Sequence, residues 1–339
     1  MSRACLPAVP FTIEELEPGS TADAAFAELA PGAATVPADA RRLLAHDGGR
    51  PLARLSVVTV DGLASLSGRT GMVGHYEGGD SDAGVALLRH ACALLRADGA
   101  ARVIGPMDGS TWARYRFVLP PEPGDGPAEA PFLGEPWNPP SYPAHFLAAG
   151  FREAARYVSA VSLDPAAPDP RAPQIERRLS TDGITTRALD PARWDADLDA
   201  AYGLCSRAFA HNAFFSPISH TAFRALYDPF RGRLDPALVR LAEDASGALA
   251  AFLFAYPDPL SLSAEGRPTR CVFKTMAAAP EMRGRGLGTL LAEQVRAAAH
   301  ARGYGTLIHA LMRDDNESLR ISRHSARVFR RYALYQWTP

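Results

Sequence analysis

CVFKTMAAAPEMRGRGLG, residues 271–288, is the stretch on which the reading of this chain turns. It opens as an apolar, strand-like run and turns at Ala279-Pro280. Glycines follow at 284, 286 and 288. Glycine lets the backbone take positive φ and approach a ligand closely. Beyond them Leu287, Leu290, Leu291, Val295 and Ala298 share one face of a helix that ends at Gly303. A strand feeding a helix through such a turn presents unpaired N–H groups and the positive end of the helix dipole to an anion. Arg283 and Arg285 add charge-assisted donors. The stretch therefore reads as a phosphate-binding turn. Its plainer alternative, a tight solvated loop, does not account for the apolar strand before it and the amphipathic helix after it. No Gly-Lys-Ser/Thr follows, which excludes a Walker A loop. The spacing is G-x-G-x-G, and Ile308 stands where a dinucleotide site needs an acid about 20 residues on.

Upstream, ALVRLAED and ALAAFLFAYPD joined by Ala-Ser-Gly read as a hairpin, with CVFKTMA as a third antiparallel strand. GTLIHAL follows Gly303 as a further strand. Residues 184–339 thus read strand, helices, three strands, helix, strand, short helix, strand. The first half echoes this order. LARLSVVTV and TGMVGHYE are strand-like. Ser81 or Asp82 can cap a helix with the stripe Val85, Leu88, Cys92 and Leu95, ending at Gly99, before the strand ARVIG. The glycine pair Gly99/Gly303 and the pair Ile104/Ile308 keep one offset, which suggests two copies of one α/β unit. LDPAAPDPRAPQIERRLSTDG (163–183) is rich in Pro, Ala and charge and shows no period, so it reads as the linker. The expected division is residues 1–165, a linker at 166–182, and residues 183–339. LPPEPGDGPAEAP (119–131) reads as a long loop inside the first half.

The whole chain is 339 residues long, comfortable for two domains. A hydrophobic fraction of 47% supports packed cores, and 22% charged residues argue against general disorder. A net charge of −1 gives no electrostatic reason to expect nucleic acid or an anionic membrane as partner. Cys5, Cys92, Cys205 and Cys271 are scattered and read as small buried thiols. MSRACLPAVPF lacks the apolar run of a signal peptide, and no run approaches the ~18 apolar residues of a membrane span. A soluble, cytoplasmic protein is expected. The histidines lack H-E-x-x-H spacing and no G-x-S-x-G occurs, which removes metalloprotease and serine-hydrolase readings.

Arg283, Gly286 and Gly288 match the R/Q-x-x-G-x-G/A signature of the GNAT acyltransferase superfamily, and the chain resembles that family over residues 184–339. The resemblance implies an α/β (α+β) fold class with two tandem GNAT folds, each a mixed, mostly antiparallel sheet flanked by helices. It implies acetyl-CoA or another acyl-CoA as co-substrate. The pyrophosphate would lie on Arg283, Gly284, Arg285, Gly286, Leu287, Gly288 and Thr289, and the pantetheine arm along Met276, Ala277 and Ala278. Asn316 sits where the family carries an asparagine after the next strand. The first half resembles a worn copy: GHYEGGDSDAG replaces the phosphate loop, with Asp80 and Asp82 where phosphate would be repelled. That copy is not expected to bind coenzyme A; shaping the acceptor pocket and serving as scaffold both stay open for it.

The implied reaction is acyl transfer to an amine of a small molecule, by direct attack in a ternary complex. Two other readings stay open: a non-catalytic acyl-CoA sensor or partner protein, and an aminoacyl-tRNA-dependent transferase on the same fold. The tyrosine common about seven residues after the family's asparagine is missing. Arg323 stands there, beside Ser322, as stabiliser of a thiolate or relay of a proton; Tyr332 and Tyr335 are further candidates. Lys274 is the only lysine, against 35 arginines. It is either a strand lysine reaching solvent or an acid, an anchor for an anionic group of the acceptor, or a desolvated base. Asn212, Phe215 and Tyr256 are the acceptor-pocket candidates, each with core or capping as its plainer role.

Overall fold

A computed structural model of the chain describes residues 11–17, 21–30, 35–63, 66–162, 164–315 and 325–339. In chain order the elements are β1 (Thr12–Glu15), α1 (Thr21–Glu28), β2 (Arg41–Asp47), β3 (Arg50–Leu63), β4 (Leu66–Gly78), α2 (Ser81–Ala97), β5 (Arg102–Gly105), β6 (Phe117–Val118), α3 (Tyr142–Ala148) and β7 (Arg152–Ser162). There follow α4 (Ala172–Thr181), β8 (Thr185–Ala188), α5 (Trp194–Phe209), α6 (His220–Tyr227), β9 (Val239–Glu243), β10 (Leu249–Pro257), β11 (Arg270–Ala278), α7 (Leu287–Ala301), β12 (Thr306–Arg313) and β13 (Ala326–Trp337). Among the described residues no helix is long and apolar enough to cross a membrane.

The chain divides into two compact units. The first comprises Met1–Val118, Pro136–Ala155 and Ala333–Pro339; the second comprises Leu119–Glu135 and Arg156–Tyr332. The loop expected inside the first half, 119–131, thus belongs to the second unit. In the first unit the strands run β1-β2-β3-β4-β5-β13, antiparallel except for the parallel pair β4/β5. α2 buries Leu87, Leu88, Ala91, Cys92 and Leu95, while Val85 is only partly covered. Its N-cap is Asp80, whose carboxylate accepts from Ala83 N–H at 2.9 Å. The sequence had pointed to Ser81 or Asp82 instead. Asp80 takes the role because its extended backbone aims its short acid at the first turn.

In the second unit the order is β13-β7-β12-β11-β10-β9-β8, with β11/β12 parallel and β8 to β11 antiparallel. α7 buries Leu287, Leu290, Leu291, Val295 and Ala298 against Cys271, Phe273 and Leu253 of the sheet, as its spacing predicts. Each of the leucines and the valine contributes about 1.5–3 kcal/mol on full burial. The expected linker holds a helix, α4: Pro173 lies in its first turn, and Leu179 is buried with Ile175 packed on the same core. Ile175 and Leu179 at i, i+4 are the periodic signal, hidden among Pro, Ala and charge. Cys92, Cys205 and Cys271 are free, buried thiols, each pushed up to about 12 by burial.

Candidate active site

The second unit builds its site where two parallel strands part. β11 pairs with β12 only over Arg270–Phe273, opposite Thr306–His309. Beyond that point β12 bulges: its pairing with β7 jumps from His309↔Ala160 to Met312↔Val158. Leu311 in the bulge takes φ 57, and its N–H donates to Ser159 Oγ at 3.1 Å. Among the described residues, the β12-facing edge of β11 from Lys274 to Ala278 therefore lies outside the ladder, over about 16 Å at the strand rise. This edge leads into the glycine turn. An extended ligand can add to it as a strand would.

Lys274 occupies a special place on that strand. β10 pairs Phe254 with Thr275 and the next residue, Ala255, with Phe273. Lys274 is thus the extra residue of a β-bulge, a device that re-aims a side chain. One consequence is that Met276 and Ala278 pack on the same core as Cys271 and Phe273, which strict alternation would forbid. The Lys274 ammonium is turned toward the 119–135 segment, 3.9 Å from where a Cβ on Gly134 would stand.

The turn itself has the geometry of an anion cradle. Gly284 takes φ 73 and Gly286 takes φ 83 as the N-cap of α7, which no side chain caps. The N–H groups of Leu287, Gly288 and Thr289 open the helix, while the Leu287 and Thr289 side chains are buried. Arg283 is exposed and holds the Ala208 carbonyl through Nη2 at 2.6 Å. Arg285 pairs with Asp182 at 2.5 Å, so part of its charge is already met. Arg178 of α4 donates to the Arg285 carbonyl at 2.6 Å, and Ile175 lies 3.0 Å from a Cβ at Gly286. Sequence reading missed both residues because it took their helix for a linker.

Of the acceptor-pocket candidates, Tyr256 stands on β10 with its phenol donating to the Leu133 carbonyl. Asn212 and Phe215 lie in the turn after α5, with Phe215 buried against Phe209. The Ala208–Arg283 bond ties that end of α5 to the glycine turn. Asn316, Ser322 and Arg323 fall at 316–324, outside the described residues. Tyr332 is fully buried and donates to the Glu135 carboxylate, with Ser159 Oγ at 2.9 Å; burial and Glu135 push its pKa up. Tyr335 packs with Phe117 and Phe146 in the core of the first unit.

His309 closes the ladder at the parting of the strands, stacked on Phe273 at 4.9 Å with Nε2 3.3 Å from Ser162 Oγ. Burial pushes its pKa down to about 4. An unfolded histidine titrates near 6.5, so between those values the unfolded chain binds a proton the folded one refuses. Stability should fall as pH drops from about 6.5 to 4, by up to about 3 kcal/mol, and be unaffected by this group above that window. Denaturant titrations at pH 7 and 4.5 should show His309→Gln losing less stability than wild type across the interval.

The first unit carries the same parting of strands, but filled. β4 and β5 pair in parallel only over Thr70–Met72, opposite Arg102–Ile104. Beyond, Met107 N–H donates to the Val73 carbonyl at 2.8 Å, and Asp108 Oδ1 accepts from His75 N–H at 2.6 Å. The chain itself occupies the edge. Gly74 permits the approach, since a Cβ there would lie 2.4 Å from the Met107 oxygen. The helix start is filled as well, by Asp80. Tyr76, whose hydroxyl meets His145 Nδ1 at 2.7 Å, lies 2.4 Å and 2.3 Å from Cβ positions at Gly78 and Gly84. Both features that, among the described residues, stay open in the second unit are satisfied internally here.

Residues 207–320 match the acetyltransferase (GNAT) family. No curated protein matches significantly. Among solved structures, the glucosamine N-acetyltransferase region of a fungal multi-domain GH3 β-N-acetylglucosaminidase aligns over 99% of this chain at TM-score 0.56 and 16% identity. The chain spans only 39% of the length of that protein. A GCN5-related N-acetyltransferase from Sphaerobacter thermophilus aligns over 98% of this chain and 97% of its own (TM-score 0.53, 18% identity). A tandem GNAT protein of the clavulanic acid biosynthesis pathway aligns over 97% and 98% (TM-score 0.50, 15% identity). These likenesses carry the fold, and the family match carries the domain that holds the glycine turn. Residues 207–320 thus match the GNAT acetyltransferase family, within a chain whose fold is similar to that of tandem GNAT proteins.

Proposed function

We propose that the second unit binds acetyl-CoA or a related acyl-CoA and transfers its acyl group to an amine of a small molecule. The observation that carries this reading is the continuity of the open β11 edge with the uncapped start of α7. The pyrophosphate would lie on the N–H groups of Leu287, Gly288 and Thr289, with Arg283 and Arg178 in reach of its charge. The pantetheine arm would pair with the edge between Ala278 and Lys274, bringing the thioester toward the bulge. There a strand N–H can polarise its carbonyl.

The neutral amine nitrogen then attacks the carbonyl carbon. The N–C bond forms, the C–S bond breaks, the nitrogen loses one proton, and the coenzyme A thiolate gains one. Holding both substrates in line supplies much of the acceleration. Because the first unit fills its own edge and caps its own helix, one acyl-CoA should bind per chain. Titration calorimetry with acetyl-CoA should therefore give a stoichiometry near one. Two equivalents would contradict the reading of the first unit, and absence of binding would contradict the reading of the second.

A further inference from the structure

The bulge at Lys274 lies at one end of a row of aromatic rings, all within the second unit. Tyr227, at the end of α6, meets Phe254 edge-on with centroids 6.3 Å apart, and Phe254 stands 6.0 Å from Tyr256 on the same strand. All three rings are partly exposed. Tyr256 donates to the Leu133 carbonyl, and the next residue, Gly134, faces the Lys274 ammonium. The π-rich wall thus leads, through the Leu133 carbonyl and Gly134, toward the Lys274 ammonium. That cation sits at the point where the open edge of β11 begins.

We infer that the acceptor is an amine whose aromatic or apolar body also carries a carboxylate, held by Lys274 while the body lies on the Tyr227–Phe254–Tyr256 row. This inference rests on the reading of the second unit as an acyltransferase and names the substrate class of its site. An α-amino carboxylate has the required compactness: the anchored carboxylate and the attacking nitrogen are separated by one carbon. A compact ammonium suits a place backed by Gly134, whereas a planar guanidinium needs width and a bidentate partner. That answers why lysine survives here alone in a chain that elsewhere uses arginine.

The test is binding of paired probes to the coenzyme A-saturated protein by calorimetry: L-phenylalanine, and 2-phenylethylamine as the same body without the carboxylate. A charge-assisted contact predicts preference for the amino acid on the order of tenfold or more. In Lys274→Met the ratio should fall to about one with coenzyme A affinity unchanged, and Lys274→Arg should recover part of it. Equal affinity of wild type for both probes, no binding of either, or a preference that survives in Lys274→Met would each overturn the inference. Failure of the acyltransferase reading shows separately, as absent acetyl-CoA binding or absent N-acetyl product while the preference persists.

Discussion

Gly286→Glu should remove acyl-CoA binding while leaving a folded protein. Gly286 caps α7 at φ 83, a conformation that costs any other L-residue about 1–2 kcal/mol. A Cβ there would also stand 3.0 Å from Ile175 Cγ2, so α4 must yield slightly. Against this, a carboxylate near a helix start gains about 0.3–1 kcal/mol from the dipole. The net loss of stability is modest. The effect on the ligand is not. The new carboxylate sits where a pyrophosphate would meet the first N–H groups of α7, and it both occupies those donors and repels the incoming charge. Losing two charge-assisted hydrogen bonds at about 1.5–3 kcal/mol each weakens binding by more than about 100-fold. Gly286→Ala separates the two causes: it carries the backbone strain without the charge and should lose roughly tenfold or less. Calorimetry with acetyl-CoA reads both variants, and circular dichroism confirms the fold. If Gly286→Glu binds as wild type does, the cradle is elsewhere.

What the sequence disclosed about this site, and what it withheld, follows from the range of the interactions concerned. The glycine turn was legible because its ingredients lie within about thirty residues: an apolar run, three glycines, two arginines and a helical stripe. The hairpin β9/β10 and the α7 face were legible for the same reason. The bulge was not, because it is a property of register between β10 and β11 and no single strand encodes it. Lys274 stood out only by composition; its direction toward Gly134 needed the pairing. Arg178 was hidden by a local judgement, since a Pro- and charge-rich stretch looks like a linker until Ile175 and Leu179 find a core. The filling of the first unit was half legible. The acids of GHYEGGDSDAG set this turn apart from the one before α7, but the approach of Met107–Asp108 to β4 joins residues some thirty apart. Even the unit boundaries depend on such long contacts, for the second unit draws in Leu119–Glu135 from well upstream.

Asp258→Ala should be the most destabilising single change on the acceptor side of the second unit. Asp258 is fully buried, and its Oδ2 receives Arg270 through Nη2 at 2.5 Å and Nε at 3.1 Å. Its other oxygen accepts from the N–H groups of Leu133 at 3.1 Å and Leu260 at 3.2 Å. Arg270 in turn donates to the Ala130 and Pro131 carbonyls at 2.7 and 2.8 Å. One ion pair thus fastens the 130–133 segment to β11 and to the end of β10. Removing only the acid strands a buried guanidinium and two backbone donors, which costs about 3–5 kcal/mol. At about 2–4 °C per kcal/mol for a body of this size, the melting temperature should drop by roughly 10 °C or more. The paired replacement Asp258→Leu with Arg270→Met removes both charges together and should cost less than the sum of the single changes. The variants also separate fold from function. Gly134 follows the fastened segment directly, so loosening it moves the backing of Lys274 and the carbonyl that holds Tyr256. Acceptor KM should then rise several-fold at temperatures where Asp258→Ala is folded, while acetyl-CoA affinity, which the proposed function assigns to the glycine turn, stays within about twofold of wild type. If both affinities fall together, the segment supports the whole unit and not the acceptor side alone.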